Sequence, residues 1–362
     1  MNLLNKLAPE KVGEKIVQWH SCLIAKDVES AKEAREKTII AIDKMKPDDK
    51  MLAYYQLISF KHNLLVSYPN GEKAEAPPLN TIEIERDDYL NYMYYYVSGQ
   101  NEYLDQRYKS AIRTYKIAER LLDKVDDQAE KAEFYQKLGM SYYKIDQYTF
   151  AISYIEQALE IFERDSLYKK NEITCKLALA IIASEMKLFD TAEALYRELS
   201  KMTKPYPYEN ALTYHNLGIH YIALDQFVNA TESFKMAIAI PEFKDSVTAV
   251  KTTYHLYNIQ MMMGTYSHGF DELEKRVKRL KLPEFIARCK ISRGLYLENN
   301  ITLVDTGLAT LESDELFFEY ALMCDEISHY FESKGDLARS LEYLKLARKM
   351  GQNNHIVGVN QT

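Results

Sequence analysis

Tyr135-x-x-Leu138-Gly139-x-x-Tyr142, followed by Tyr148-x-x-Ala151-x-x-x-Ile155-x-x-Ala158, is the stretch on which the fold of this chain turns. The same size classes return as Tyr214-x-x-Leu217-Gly218-x-x-Tyr221 and Phe227-x-x-Ala230-x-x-x-Phe234-x-x-Ala237. Large and small residues at fixed helical spacing, repeated along a chain, are the signature of tetratricopeptide repeats. Each repeat is a helix pair that cannot cover its own apolar face, so neighbours stack into a quasi-one-dimensional array. Such arrays bind peptides or proteins on a concave side, so an interaction protein is the first reading.

Working outward, the small anchor of each pair's second helix is placed at Ala111, Ala151, Ala192, Ala230, Gly269 and Ser340. The first four intervals are 40, 41, 38 and 39 residues, and the last is 71. One degenerate repeat, about 284–313, fills that longer gap. The expected fold is all-α: an N-terminal three-helix bundle, then a right-handed tetratricopeptide superhelix of about seven helix pairs. The expected boundaries are 1–68 for the bundle, 69–85 for a linker, 86–350 for the repeats and 351–362 for a flexible tail. The bundle follows from three stripes: Val12, Ile16, Trp19 and Leu23; then Ala31, Ala34, Thr38 and Ile42; then Met51, Tyr54, Tyr55, Ile58, Leu64 and Leu65. Asp27 is placed as the N-cap of the second helix, and Pro47-Asp48 divides the second from the third. Pro69, Asn70-Gly71 and Pro77-Pro78 mark the linker.

Composition narrows the function. A net charge of -7 argues against a nucleic-acid footprint. No 18-residue apolar run is present, so no membrane span is expected, and without a signal-peptide core the expected location is cytoplasmic. Cys22, Cys175, Cys289 and Cys324 form no C-x-x-C pair and read as reduced core thiols. No Gly-rich phosphate loop, H-E-x-x-H or G-x-S-x-G occurs. His215 and His220 are five apart, the wrong spacing for metal binding from one helix face. No metal and no cofactor are expected.

The groove carries more information. Two residues before each Gly139-type position lie Val97, Lys137, Ala178, Asn216, His255 and Glu326. One turn further lie Gln100, Met140, Ile181, Ile219, Asn258 and His329. Asn216 and Asn258 both donate and accept, which suits an extended peptide backbone. Glu326, and Glu298 before it, suit a cationic side chain.

Val12-Gly13-Glu14-Lys15-Ile16-x-x-Trp19, Leu52-Ala53-Tyr54-Tyr55-Gln56-Leu57-Ile58-Ser59-Phe60-Lys61-His62 and Glu130-Lys131-Ala132-Glu133-Phe134 together resemble the Rap family of Bacillus response-regulator phosphatases. The resemblance spans about residues 10–350. It implies a response regulator docked by the bundle, with Asp48, Asp49, Leu52 and Tyr55 at the docking end. It also implies a short secreted signalling peptide bound by the repeats, which draws the bundle in and releases the regulator. Asn216 matches the family's peptide-backbone asparagine, and Glu326 falls where the family carries an acid. The family's aspartate in the third repeat maps near Ser184-Glu185, so Glu185 joins the peptide candidates. Phosphatase members position a water with a glutamine where this chain has Asp49. A carboxylate only accepts, and its charge opposes the phosphoryl group. No catalytic residue is therefore assigned, and inhibition of the regulator by dephosphorylation or by sequestration both stay open. A peptide-sensing transcription factor and a non-enzymatic scaffold are the alternatives. The first lacks a basic recognition helix: Lys32, Arg35 and Lys37 alternate with Glu29, Glu33 and Glu36.

Overall fold

A computed structural model describes residues 6–67 and 87–356. The segment read as a linker, 69–85, lies outside them. The described residues are helical, and no strand occurs among them beyond one bridge pairing Leu7 with Met45. Three helices come first: α1 (Pro9–Ile24), α2 (Val28–Asp43) and α3 (Asp49–Ser67). Then follow α4 (Asp88–Leu104), α5 (Tyr108–Glu119), α6 (Gln128–Tyr143), α7 (Tyr148–Phe162), α8 (Lys169–Glu185), α9 (Phe189–Met202) and α10 (Pro207–Ala223). The rest are α11 (Phe227–Ile238), α12 (Val247–Met262), α13 (Phe270–Arg279), α14 (Pro283–Ser292), α15 (Ile301–Ser313), α16 (Phe317–Ser333) and α17 (Leu337–Ile356). In chain order fourteen described helices follow the bundle, with α14 and α15 at the degenerate repeat.

The chain divides into two compact units, Met1–Ala223 and Leu224–Thr362. In the first, the bundle closes over Val12, Ile16 and Trp19 of α1, all fully buried, with Leu57 and Ile58 of α3. Its apolar cluster continues without a break into Tyr92, Tyr96 and Phe134 of the first repeats. Acid caps start its helices: the Asp27 carboxylate accepts from Ser30 N, and that of Asp87 from Tyr89 N and Leu90 N. Such caps satisfy backbone donors that a helix start leaves unpaired.

The anchors Ala111, Ala151, Ala192 and Ala230 are fully buried. A methyl group at Gly139 would fall 2.8 Å from Ile155 Cγ1, which is why that crossing takes glycine. Gly269 departs from its expected role. It is the N-cap of α13 with φ +106, and the buried position one turn into that helix is Leu273. A left-handed residue before the helix shifts the anchor by four positions, so the repeat is longer there than the spacing suggested.

One turn geometry recurs between the helices of a pair. Gln106, Asp146, Lys187 and Asp225 each adopt positive φ, between 56 and 62. For non-glycine residues this costs on the order of 1 kcal/mol each, and the stacking of the pairs sustains it. The C-terminal helix also runs further than expected: α17 continues to Ile356, into the segment 351–362 read as a tail.

Candidate functional site

The docking quartet splits at the start of α3. Asp48 caps the helix, its carboxylate accepting from Met51 N at 2.8 Å. Tyr55 is half-buried, its ring 6.1 Å from that of Trp19. Asp49 is exposed and Leu52 is 38% exposed, while Asp48 and Tyr55 hold the helix in place. Lys50 beside them pairs with Asp87 at 2.5 Å, tying this end to the start of α4.

The bundle meets the repeats through a buried polar cluster. Lys61 Nζ of α3 donates to Glu133 Oε2 of α6 at 2.5 Å and lies 2.7 Å from His20 Nε2 of α1. Nδ1 of the same imidazole is 3.9 Å from Glu130 Oε2, which accepts from the Tyr89 hydroxyl at 3.1 Å. The ammonium also stands 5.2 Å from the centre of the Tyr96 ring. Burial works to raise the Glu133 carboxyl, but the Lys61 and Lys137 charges outweigh it and hold it below the usual range. Glu130 has no such direct partner, and burial pushes it up to about 8 against the pull of Lys61 and Tyr89. Burial, then Lys61, holds His20 well below the ordinary imidazole range. At neutral pH Glu133 is therefore anionic and His20 neutral. A second contact lies beyond it, where Lys26 Nζ donates to Thr174 Oγ1 at 2.7 Å. Composition alone does not find this cluster. Its signal was the pair of acids three apart in Glu130-Lys131-Ala132-Glu133, one helical face of a segment that is otherwise core.

Of the peptide candidates, the second unit brings two together. Asn258 Nδ2 of α12 donates to Glu326 Oε1 of α16 at 2.9 Å, and the Tyr296 hydroxyl donates to the same oxygen at 3.2 Å. Behind them Ser292 Oγ donates to Asn258 Oδ1 at 2.8 Å, and the Tyr254 hydroxyl lies 3.0 Å from Ser292 Oγ. The relay fixes which end of the amide faces the carboxylate. Burial raises the Glu326 carboxyl, partly offset by Asn258, the Arg288 charge and Tyr296. Glu298 is placed elsewhere. It is exposed and paired with Arg293, whose guanidinium also holds Glu274 and Asp271 around the π turn Arg293–Leu297.

In the first unit, Asn216 is half-buried and its Nδ2 donates to Leu212 O at 2.8 Å. Glu185 is exposed and accepts from the hydroxyls of Tyr143 and Tyr148 at 2.8 and 3.1 Å. Among the groove positions, Val97 and Ala178 are buried, and His255 is half-buried against the rings of Phe234 and Phe285. Among the described residues no cluster of three or more His, Cys, Asp or Glu is arranged to hold a metal ion. No described helix is long and apolar enough to cross a membrane.

Residues 6–67, which are the bundle, match the family model described as response regulator aspartate phosphatase H, N terminal. Response regulator aspartate phosphatase I of Bacillus subtilis is 26% identical over 373 residues, covering 99% of this chain and 95% of that protein. A protein of Rhodococcus hoagii named Type II methyltransferase M.CeqI is 34% identical over 368 residues, 99% of this chain and 71% of that protein. That name is the relative's own. A crystal structure of a Rap protein complexed with Competence and Sporulation Factor superposes with TM-score 0.83 at 22% identity, over 96% of this chain and 99% of that one. The family model covers the first three helices and the relatives run along nearly the whole chain: this chain belongs to the Rap family.

Proposed function

We propose that this chain is a peptide-regulated receptor that binds a response regulator through its bundle and gives it up when a short signalling peptide occupies the repeats. The observation that supports this reading is the charged junction of Lys61, Glu133 and His20. Replacing a buried ion pair by packed apolar residues is usually neutral or stabilising, so such a pair is weak evidence for strength. It makes the position of the bundle conditional on geometry, which a ligand on the repeats is able to bias. A plain scaffold has no use for that sensitivity.

The exposed end of α3, with Asp49 and Leu52, is the proposed docking edge. Asp49 has no donor to offer a phosphoryl oxygen, so the output we propose is sequestration of the regulator. The peptide contacts are assigned to Asn216 and, separately, to the Asn258–Glu326 pair. Glu326 already receives two neutral donors there, and a cationic peptide side chain would complete its pairing.

The test uses a phosphorylated response regulator from the source cell. With the full chain added, a complex is expected by gel filtration while the half-life of the phosphoaspartate stays unchanged. A cationic pentapeptide is expected to dissolve the complex, and Asn216→Ala to weaken that release without weakening the complex. Failure to form a complex with any regulator of the source cell sinks the proposal, whereas a shortened half-life replaces sequestration by dephosphorylation.

A further inference from the structure

Two half-buried lysines of the first unit meet where the bundle touches the repeats. Among the described residues no carboxylate lies within ion-pairing distance of either. Lys26 stands in the loop between α1 and α2, with φ 55, and its Nζ donates to Thr174 Oγ1 of α8 at 2.7 Å. The Thr174 hydroxyl donates to Lys170 O at 2.8 Å, and Lys170 Nζ to Lys26 O at 3.4 Å. These bonds seat the loop on the first turns of α8. Lys137 lies on α6, one turn after Glu133 and at a groove position. Burial, then the charge of Lys137, brings Lys26 down to about 8. Burial also holds Lys137 below the usual lysine range, with Glu133 pulling against it and Lys61 pushing with it.

The acids in reach do not settle these charges. Glu133 is engaged by Lys61, and the pull of Glu209 on Lys26 is smaller than the push of Lys137. The third cation, Lys170, acts on Asp27. Charges taken out of water are ordinarily paired, so two cations that repel each other there are an arrangement that an anion completes. The same turn of α8 carries a second unmet demand. Asn171 is fully buried, and neither its Nδ2 nor its Oδ1 has a partner. Its backbone oxygen accepts from Gln136 Nε2 at 3.2 Å, which places the residue against α6 beside Lys137. A carboxamide there has two donor hydrogens to offer an anionic oxygen. A plain tether between loop and helix needs one neutral donor on Thr174, and it gains nothing from a second cation close by.

We infer that Lys26 and Lys137, with Asn171 beside them, form an anion site that holds a carboxylate or phosphate group between the first loop of the bundle and the repeats. An anion bound there touches both parts and favours the bundle in its seated position. Its source is either free phosphate or the terminal carboxylate of the peptide proposed above, and only the second source rests on that reading. The test uses the full chain and two probes in titration calorimetry. Inorganic phosphate is titrated at constant ionic strength, and a cationic pentapeptide is titrated as free acid and as C-terminal amide in phosphate-free buffer. Saturable phosphate binding that Lys137→Met weakens about tenfold assigns the site to the free anion. A free acid that binds about tenfold tighter than its amide, with the difference gone in Lys137→Met, assigns it to the peptide. That variant removes an unpaired buried charge, so it is expected to unfold at no lower urea concentration than wild type. Should it fail to fold, Lys26→Gln, which keeps a donor for Thr174, carries the same two comparisons. A wild type that shows neither saturable phosphate binding nor a preference for the free acid overturns the inference. So do folded variants that keep the phosphate affinity and the acid preference of wild type. Peptide binding without that preference, and without phosphate binding, sinks the anion site and leaves the receptor reading standing. Phosphate binding that Lys137→Met weakens, in a chain that takes no peptide, does the reverse.

Discussion

The two units each bury a carboxylate on an inner helix, and they satisfy it in opposite ways. Glu133 in the first unit receives an ammonium from the chain itself, Lys61, donated by an element 72 residues away in sequence. Glu326 in the second unit receives an amide and a phenol, Asn258 and Tyr296, while Arg288, whose charge also acts on it, is paired with Glu284 at 2.9 Å. The consequence shows in their acidities: Glu133 sits below the usual carboxylate range and Glu326 above it. A carboxylate with an internal cation is a structural joint. One that is half-buried, paired with neutral donors and raised is, on the function proposed above, the one with an interaction left for a ligand.

The largest expected effect breaks the first half of this contrast. Lys61→Met removes the ammonium and leaves Glu133 buried without its charge partner, which costs about 3 kcal/mol or more in denaturant unfolding. Adding Glu133→Leu should restore most of it, because the apolar pair needs no compensation. A single mutant as stable as wild type would show that the joint does not hold the bundle to the repeats.

Glu326→Gln addresses the second half. Its effect on folding should be small or slightly favourable, since the neutral side chain keeps its acceptor and loses only a raised carboxylate. Its effect on ligand should be larger: about tenfold weaker binding of a cationic pentapeptide, near 1.4 kcal/mol, and little change for a neutral one. Equal loss for both peptides, measured by titration calorimetry, would make Glu326 a structural residue.

A smaller effect separates the two acids of the first cluster. Glu130 faces His20, Lys61, Tyr89 and Glu133, and its folded-state value of about 8 lies above the ordinary 4.5. A raised carboxyl binds more protons folded than unfolded. Its contribution to stability is therefore whole below about 4.5 and is lost as pH rises towards 8. Glu130→Gln removes that dependence, so its gain in Tm over wild type should grow from pH 5.5 to pH 8. His20 works in the opposite sense, since its lowered value makes stability fall as pH drops below 6.5. Both chains share that term, and it cancels in the difference. A gain that is constant with pH would mean that Glu130 is ionised in the folded protein.

Much of the fold was legible because it rests on periodicity. Ala111, Ala151, Ala192 and Ala230 are buried where their spacing put them, since only a small side chain lets two helix axes meet there. Gly269 misled because glycine serves two purposes, close approach and positive φ, and the pattern of sizes does not tell them apart. The recurring left-handed turn was hidden for a related reason. Gln106, Lys187 and Asp225 share no chemistry, and the conformation is imposed by the stacking on either side. The candidate site was legible in part. Asn258 and Glu326 were singled out one by one from groove positions, yet their bond joins helices that are 68 residues apart. Glu298 was grouped with them on charge, and Arg293 holds it elsewhere. Asp48 looked like a docking residue and is spent on capping α3.

By itself, then, the sequence determined the helical elements and their order, since helical period, caps and turn residues act over a few positions. The tertiary structure alone decided which buried charge meets which partner. Lys61 reaches Glu133, and Glu326 reaches Asn258, only once helices distant in sequence have packed. The strength of a buried charge depends on that packing and not on its neighbours along the chain.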